Sequence, residues 1–520
     1  MSTPAREGTL RREGTLRRAF PTFYFLFSFA AVGLYLLVAF LQNGEFGFPL
    51  DDAWIHQVYA RNLGTRFEFS FFEGQPSAGS TSPLWAILLG LGYLLRIDFR
   101  VWAILMGVLF LGASAWMTQR VTRHLTDGAM YRSARVANWI APLLILLEWH
   151  LVWAAASGME ILLFVFLALA LVESFFAERN VWRVGALAGL LTLTRPEGIV
   201  LAGLIGFGLL LRAVQDPKDF TRARDSIHAR VENPLGLWQV AAFAFVFALT
   251  LVPYLLFNLQ TSGTLLPNTF YAKASEYAEL TTNTNFFARW LIMYRQPLIG
   301  AQLLMIPGLL YAMFFFARAK DWTRLLPALW IVLLPALYAW RLPVEYQFGR
   351  YMMPIIPFVM IYGVVGTAML FQKIKLRVLR RAWGMIIAVL LIVFLFLGAS
   401  FYAQSVAIIN CEMVAVAKWT RVNVPQGDLI AAHDIGAQGY FDPRPLLDLA
   451  GLVSPEVIPF IREETKLKEW MRAGGARYAI FFPTWYPKLA RDAQLLEIFS
   501  TGCAVTRGMG EKNLGVYLFE

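Results

Sequence analysis

Eleven apolar runs, separated by short charged segments, fill most of residues 20–404. A hydrocarbon core about 30 Å thick takes roughly 20 apolar residues of helix to cross. The runs at 20–42, 100–118, 135–153, 158–176, 182–194, 198–212, 236–257, 297–317, 324–340, 351–371 and 382–404 approach or reach that length. In lipid every backbone N–H and C=O must be paired within the protein, so such runs fold as helices packed on one another. The expected fold class is a polytopic α-helical membrane protein with about 11 transmembrane helices. Composition agrees: 58% of the 520 residues are hydrophobic and only 16% are charged, less than a soluble surface of this size carries.

A further run, 83–96, is shorter than the ~20 residues a span needs, and charge decides how to read it. If it does not cross, the segments 1–19, 119–135, 177–183, 212–235, 318–324 and 372–382 share one side and carry 24 Lys and Arg. The segments 43–100, 194–198, 258–296 and 341–350 share the other and carry 10. Cytoplasmic loops favour Lys and Arg, so the N-terminus is expected in the cytoplasm and 83–96 in the interface or dipping partway in. The net charge of +11 follows these loops, which excludes a nucleic-acid partner. The tail "REGTLRREGTLRR" repeats six residues and reads as a disordered basic segment with no cleavable signal peptide. The pair 182–194 and 198–212 is short, and its break "TRPEG" is expected near the outer surface, buried in protein. Three regions result: a basic cytoplasmic tail, 1–19; a transmembrane domain, 20–404, with an outer loop 43–99; and an extracytoplasmic domain, 405–520. The last has mixed polarity and β-prone runs ("DLIAAH", "PLLDLAG", "YAIFFP", "LGVYLF"), the pattern of a small α/β domain. Cys411 and Cys503, the only cysteines, are too few for a disulfide framework or a zinc site. They either pair or remain two unrelated buried thiols.

Charge at bilayer depth costs roughly 2.5–3.5 kcal/mol per residue on insertion scales, so ionisable residues there need a reason. Asp51 and Asp52 follow the first span in "FPLDDAWIHQVYARN". Glu148 lies within a run, and Glu160 in the turn "ASGMEI". Arg195 sits at "TRPEG", Lys273 in "LPNTFYAKASEY" and Arg350 in "QFGRYMMPIIP". Each has a structural alternative. An aspartate caps a helix starting at Ala53, which explains one carboxylate but not two. Glu160 suits a helix first turn. Glu148 pairs with His150 or a basic residue on another helix. Arg195 and Arg350 snorkel, and Lys273 is solvated. His56 and His433 read as structural or surface residues, and five histidines make no metal cluster. As a set the charges mean more. Carboxylates take a proton from a hydroxyl, cations hold a phosphate, and a long first loop walls off a cleft open to lipid. Such a site suits a substrate with a lipid tail, a phosphate headgroup and a reactive group outside.

On these residues the layout resembles the GT-C glycosyltransferases, integral membrane enzymes that use polyprenyl-phosphate sugars. "LDDAWI" matches their acidic motif in the first outer loop. The blocks "SGMEILLF", "LTLTRPEG", "LPNTFYAK", "GRYMMPIIP", "HDIGAQGYF" and "LLDLAGLVSPE" are similar to the arabinofuranosyltransferase branch of AftB type, over roughly residues 20–455. Val58 departs from the pattern, where a basic residue often precedes the tyrosine. The resemblance implies an enzyme of a bacterial-type plasma membrane that transfers a sugar, with inversion, to a hydroxyl of a glycan, lipid or protein acceptor. It makes Asp51 or Asp52 the general base and gives the donor phosphate to Arg195, Lys273 and Arg350. Glu160 and Glu148 would orient the acceptor. No cofactor is required by it, although Mg²⁺ or Mn²⁺ on the carboxylates is compatible with it. Two rival readings are a transporter or flippase of a lipid-linked or anionic substrate, and a non-catalytic anchor for the C-terminal domain. Transporters tend to show two related halves, and no second copy of the acidic loop occurs.

Overall fold

The computed structural model describes residues 5–128, 134–215, 236–374 and 376–520. Residues 1–4 of the tail and parts of 119–135, 212–235 and 372–382 lie outside the described residues. Among the described residues, seven helices are long and apolar enough to cross a bilayer. Ala134–Leu147 and Trp149–Ala156, bent by 52°, bring the number to eight if the pair is one span. These helices make the chain an integral membrane protein. The other three expected spans are helices too, Ile161–Phe176, Val181–Thr194 and Gly198–Gln215, but they are shorter. Packing accounts for this. Ile161–Phe176 is buried along nearly its whole length, so it meets neighbouring helices rather than lipid. The other two meet at "TRPEG", whose Arg195 and Glu197 are buried in protein, as irregular backbone at membrane depth must be. The short run within the first outer loop is the 12-residue helix Pro83–Leu94, about 18 Å long at 1.5 Å per residue. It packs along Asp51–Arg66 and turns Ile87, Leu91 and Leu94 outward. The basic tail is not without structure, because one helix runs from Ala5 to Asn43.

The helix Arg377–Ile409 passes residue 404 without a break. It continues through a π-helical turn, Asn410–Val414, into Ala415–Asn423. In the first outer loop β1 (Ser70–Phe72) and β2 (Gln75–Pro76) pair antiparallel. Beyond the long helix, β3 (Leu429–Ala432), β4 (Leu446–Asp448), β5 (Ala476–Phe481), β6 (Leu495–Ser500) and β7 (Gly515–Phe519) form one sheet in the order β4-β3-β5-β7-β6. The β3 strand runs parallel to β4 and β5, and β7 runs antiparallel to β5 and β6. Successive residues of a strand face opposite sides. Accordingly Ile430, Tyr478 and Ile480 join the core shared with the membrane helices, while Ala431, Ala479 and Phe481 join a second core under Leu467 and Met471. The π turn locks the stalk to the sheet. Cys411 is disulfide-bonded to Cys503, and Glu412 accepts hydrogen bonds from Asn513 Nδ2 at 2.7 Å and the Leu514 N–H at 3.0 Å. The cysteines therefore pair rather than remaining two separate thiols.

Candidate functional site

The helix Asp51–Arg66 begins at Asp51 itself, and neither aspartate caps it by a side-chain hydrogen bond. Both occupy its first turn, where consecutive side chains point about 100° apart, so the adjacent carboxylates part company. Asp51 faces the sheet domain and accepts the N–H groups of Gly436 at 2.7 Å and Ala437 at 2.8 Å. A Cβ on Gly436 would lie 2.2 Å from the Asp51 carbonyl oxygen, so "HDIGAQGYF" needs glycine at this close approach. Burial pushes the Asp51 carboxyl up to about 6, against the lowering effect of those two donors. The same helix packs Trp54 on Tyr440 and Phe441, and Arg61 donates to the Tyr440 carbonyl at 2.8 Å. Asp51 thus clasps the C-terminal domain to the first loop.

Asp52 faces the other way, into a cavity of about 730 Å³ with mostly apolar walls. Arg350 donates from Nη2 to Asp52 Oδ2, and Lys273 Nζ lies 3.6 Å from the same oxygen. Lys273 also donates to the Tyr351 hydroxyl at 3.1 Å. The two cations hold the Asp52 carboxyl well below the usual carboxylate range although burial opposes them. In return Asp52 raises Lys273 against the lowering effect of its burial. Two of the Arg350 guanidinium nitrogens, Nε and Nη1, are buried with no hydrogen-bond partner among the described residues. Local structure aims these groups. In "LPNTFYAK" the Asn268 N–H donates to the Ala78 carbonyl at 2.9 Å and Thr269 Oγ1 to the Gly79 carbonyl at 2.5 Å. This fixes the helix Asn268–Glu276 one turn before Lys273. Arg350 follows three residues with positive φ, Gln347, Phe348 and Gly349. For the two non-glycine residues this is strained backbone, a feature that persists only where packing enforces it. Phe348 is wedged against Trp149, Trp153 and Phe401 at ring distances of 5.4–5.6 Å.

Arg195 lies in a second cluster on the same cavity. It donates to Glu160 Oε1 at 2.7 Å, to Glu197 Oε1 at 2.5 Å and to the Tyr338 hydroxyl at 3.0 Å. His56 Nε2 lies 3.2 Å from the other Glu160 oxygen. Arg195 sits between two carboxylates and has less charge to offer a phosphate than Arg350 or Lys273. Replacing it leaves Glu160 and Glu197 buried without their cation. Arg195→Ala is therefore expected to destabilise the fold by ~3–5 kcal/mol, seen as a clear drop in thermal-unfolding temperature. An unchanged melting profile would show that the cluster is not a structural ion pair.

Glu148 lies outside the cavity. It sits at the 52° bend, where it accepts the Leu151 N–H at 2.9 Å, His150 Nδ1 at 2.6 Å and Gln302 Nε2 at 3.2 Å. Its carboxylate caps the second half of the broken span, which corrects its assignment to the acceptor. The three carboxylates Asp51, Asp52 and Glu160 do not assemble around a divalent ion. Each is engaged by different donors, and among the described residues no group of three His, Cys, Asp or Glu is placed to hold a metal. Glu197, Tyr338, Tyr351 and Arg341 also line the cavity without a signal in the sequence, and so does His56, which the sequence reads as structural or surface. Arg341 stacks over Phe270 at 4.7 Å, and its buried Nε has no hydrogen-bond partner among the described residues. Glu197, two residues from Arg195, was the nearest to legible, since a buried cation calls for a counter-charge.

This arrangement of helices and sheet is the GT-C fold. ArnT from Cupriavidus metallidurans superposes with a TM-score of 0.55 at 14% identity, covering 95% of this chain and 97% of that one. The same protein bound to undecaprenyl phosphate gives 0.52. The oligosaccharyltransferase AglB from Archaeoglobus fulgidus, in complex with an inhibitory peptide and a dolichol-phosphate, gives 0.53 at 12% identity over 88% of this chain and 69% of that one. At these identities the likeness concerns the fold, and it does not single out the AftB-type branch. Residues 400–517 match a domain of unknown function, DUF8728. No curated protein matches the sequence.

Proposed function

We propose that the chain is a membrane glycosyltransferase that moves a sugar from a polyprenyl-phosphate donor to an acceptor hydroxyl. The observation that carries this reading is the position of Asp52. It stands at the polar end of a mostly apolar cavity, beside two cations, one of which has unpartnered N–H groups. A prenyl chain fits the apolar wall formed by residues of Gly198–Gln215, Leu237–Ser262 and Trp330–Arg341. At the rim, Ile199 and Trp340 line the cavity while more than half exposed, which suits lateral arrival from lipid. The donor phosphate then meets Arg350 and Lys273. Asp52 takes the proton of the acceptor hydroxyl as its oxygen bonds to the anomeric carbon from the opposite face. The bond from that carbon to the phosphate oxygen breaks, and the leaving phosphate keeps the electron pair, stabilised by the two cations. Among the paired aspartates, Asp52 is the base because both oxygens of Asp51 already hold backbone N–H groups. Phosphate and Asp52 compete for the same cations. Donor binding therefore draws charge away from Asp52 and raises its basicity when the acceptor needs it. No step is routed through a metal ion.

The proposed orientation puts the N-terminus in the cytoplasm and the sheet domain outside, at a bacterial-type plasma membrane. The Lys and Arg asymmetry supports it, and so does the Cys411–Cys503 bond, since disulfides persist in oxidising compartments. The test is to supply the protein, in lipid nanodiscs, with polyprenyl-phosphate pentoses and hexoses together with a cell-envelope acceptor fraction. Acceptor-dependent release of free polyprenyl phosphate is the expected result. In sealed vesicles, movement of intact donor across the bilayer without its cleavage would overturn the proposal in favour of a flippase.

A further inference from the structure

The C-terminal sheet offers a site that the chemistry at Asp52 does not use. The chain leaves β3 for β4 on one side and returns to β5 on the other. In open α/β sheets, ligands bind beyond the carboxyl ends of the strands at such a switch point, where the two loops diverge. Here the loop after β3 carries His433 and Asp434, and the loop after β5 carries Trp485 and Tyr486. The loops touch: His433 Nδ1 lies 2.7 Å from the Tyr486 hydroxyl, and the His433 ring stands edge-on to Trp485 at 4.9 Å. Trp485 is 44% exposed despite these contacts. Asp434 has one buried carboxylate oxygen, Oδ2, with no hydrogen-bond partner, and no ion pair among the described residues. A buried acceptor left unpaired costs about 1–3 kcal/mol.

This loop pair adjoins the proposed reaction centre. Asp434 stands two residues before Gly436, whose N–H holds Asp51, the neighbour of Asp52. Burial, and after it the carboxylates of Asp51 and Asp52, push the Asp434 carboxyl well up. Burial pushes His433 down to about 4, which leaves its ring neutral near pH 7.

We propose that this loop pair, with its exposed Trp485 and unpartnered Asp434 oxygen, is the acceptor subsite and that the acceptor is a carbohydrate. Trp485 presents an electron-rich aromatic face to the C–H face of a sugar ring. Asp434 and the second ring nitrogen of His433 bond its hydroxyls. The inference rests on the glycosyltransferase reading and names the substrate class on its acceptor side.

The test uses the full chain in detergent on an immobilised array of synthetic oligofuranosides and oligopyranosides, with undecaprenyl phosphate binding measured in parallel. Wild-type protein is expected to retain one glycan class. Losing a stacking contact of ~1.4 kcal/mol, Trp485→Ala should weaken that binding about tenfold, and Asp434→Asn should weaken it to a similar degree. Undecaprenyl phosphate binding should be unchanged in both variants. No retention of any glycan by wild-type protein, or wild-type retention by Trp485→Ala, overturns the subsite. Trp485 is exposed, so its variant decides the matter even if Asp434→Asn misfolds. Glycan retention without undecaprenyl phosphate binding would keep the subsite and remove the donor reading.

Discussion

Asp52→Asn is expected to lower the turnover of sugar transfer by about 10²–10⁴-fold, the usual contribution of a positioned general base, without weakening the donor. The second half of this expectation is the more diagnostic. Asp52 Oδ2 occupies Arg350 and has Lys273 at 3.6 Å, so in the free protein it competes with a donor phosphate. Asparagine removes the competing charge, and the variant should bind undecaprenyl phosphate at least as tightly as wild-type protein. A pH signature follows from the same competition. In the free protein the two cations hold Asp52 well below the usual carboxylate range, so it is ionised across the working pH range. Bound phosphate diverts those cations and adds a negative charge, both of which raise its pKa. Activity is lost as pH falls through that value, because a base must be deprotonated. The acid limb of kcat should therefore lie at higher pH than the acid limb of kcat/KM for the donor, since the first reports the complex and the second the free protein. Wild-type turnover in Asp52→Asn would sink the base assignment. Coincident acid limbs would sink the competition.

Much of the site could be read from cost alone. Asp52, Lys273 and Arg350 come from segments more than 200 residues apart in part, yet each stood out as a charge near membrane depth, and the structure brings the three together. What the chain alone could not disclose was the division of labour. "LDDAWI" shows two aspartates, but only the phase of the helix and the docking of Gly436 and Ala437 send one to the sheet and the other to the cavity. Glu148 illustrates the opposite error. It was as costly as the rest, but its cost is met locally by His150, Gln302 and the Leu151 N–H at the helix bend. Arg341 ends a span, where arginine commonly snorkels, so nothing in the sequence marks it as a lining residue. Apolar length alone does not say what a span faces. Hydropathy registers apolar length, and Ile161–Phe176 is apolar because it is surrounded by protein rather than because it faces lipid.

Arg350→Ala is expected to lower turnover by about 10²–10³-fold, as does loss of one preorganised donor to a developing oxyanion, and to raise the KM for the donor. The fold should survive, because Lys273 remains beside Asp52 and leaves that carboxylate partly compensated. Arg350→Lys separates charge from geometry. An ammonium restores the positive charge but not the planar fork that offers Nε and Nη1 while Nη2 holds Asp52. Lysine and arginine are not equivalent where two donors must meet one phosphate. Lysine should therefore recover part of the donor affinity and little of the turnover. The strained turn Gln347–Gly349 ahead of Arg350 fixes where the fork points, and a flexible ammonium gains less from that fixed placement. Full recovery of turnover by lysine would mean that charge alone suffices at this position. Wild-type kinetics in Arg350→Ala would remove the phosphate from this end of the cavity altogether.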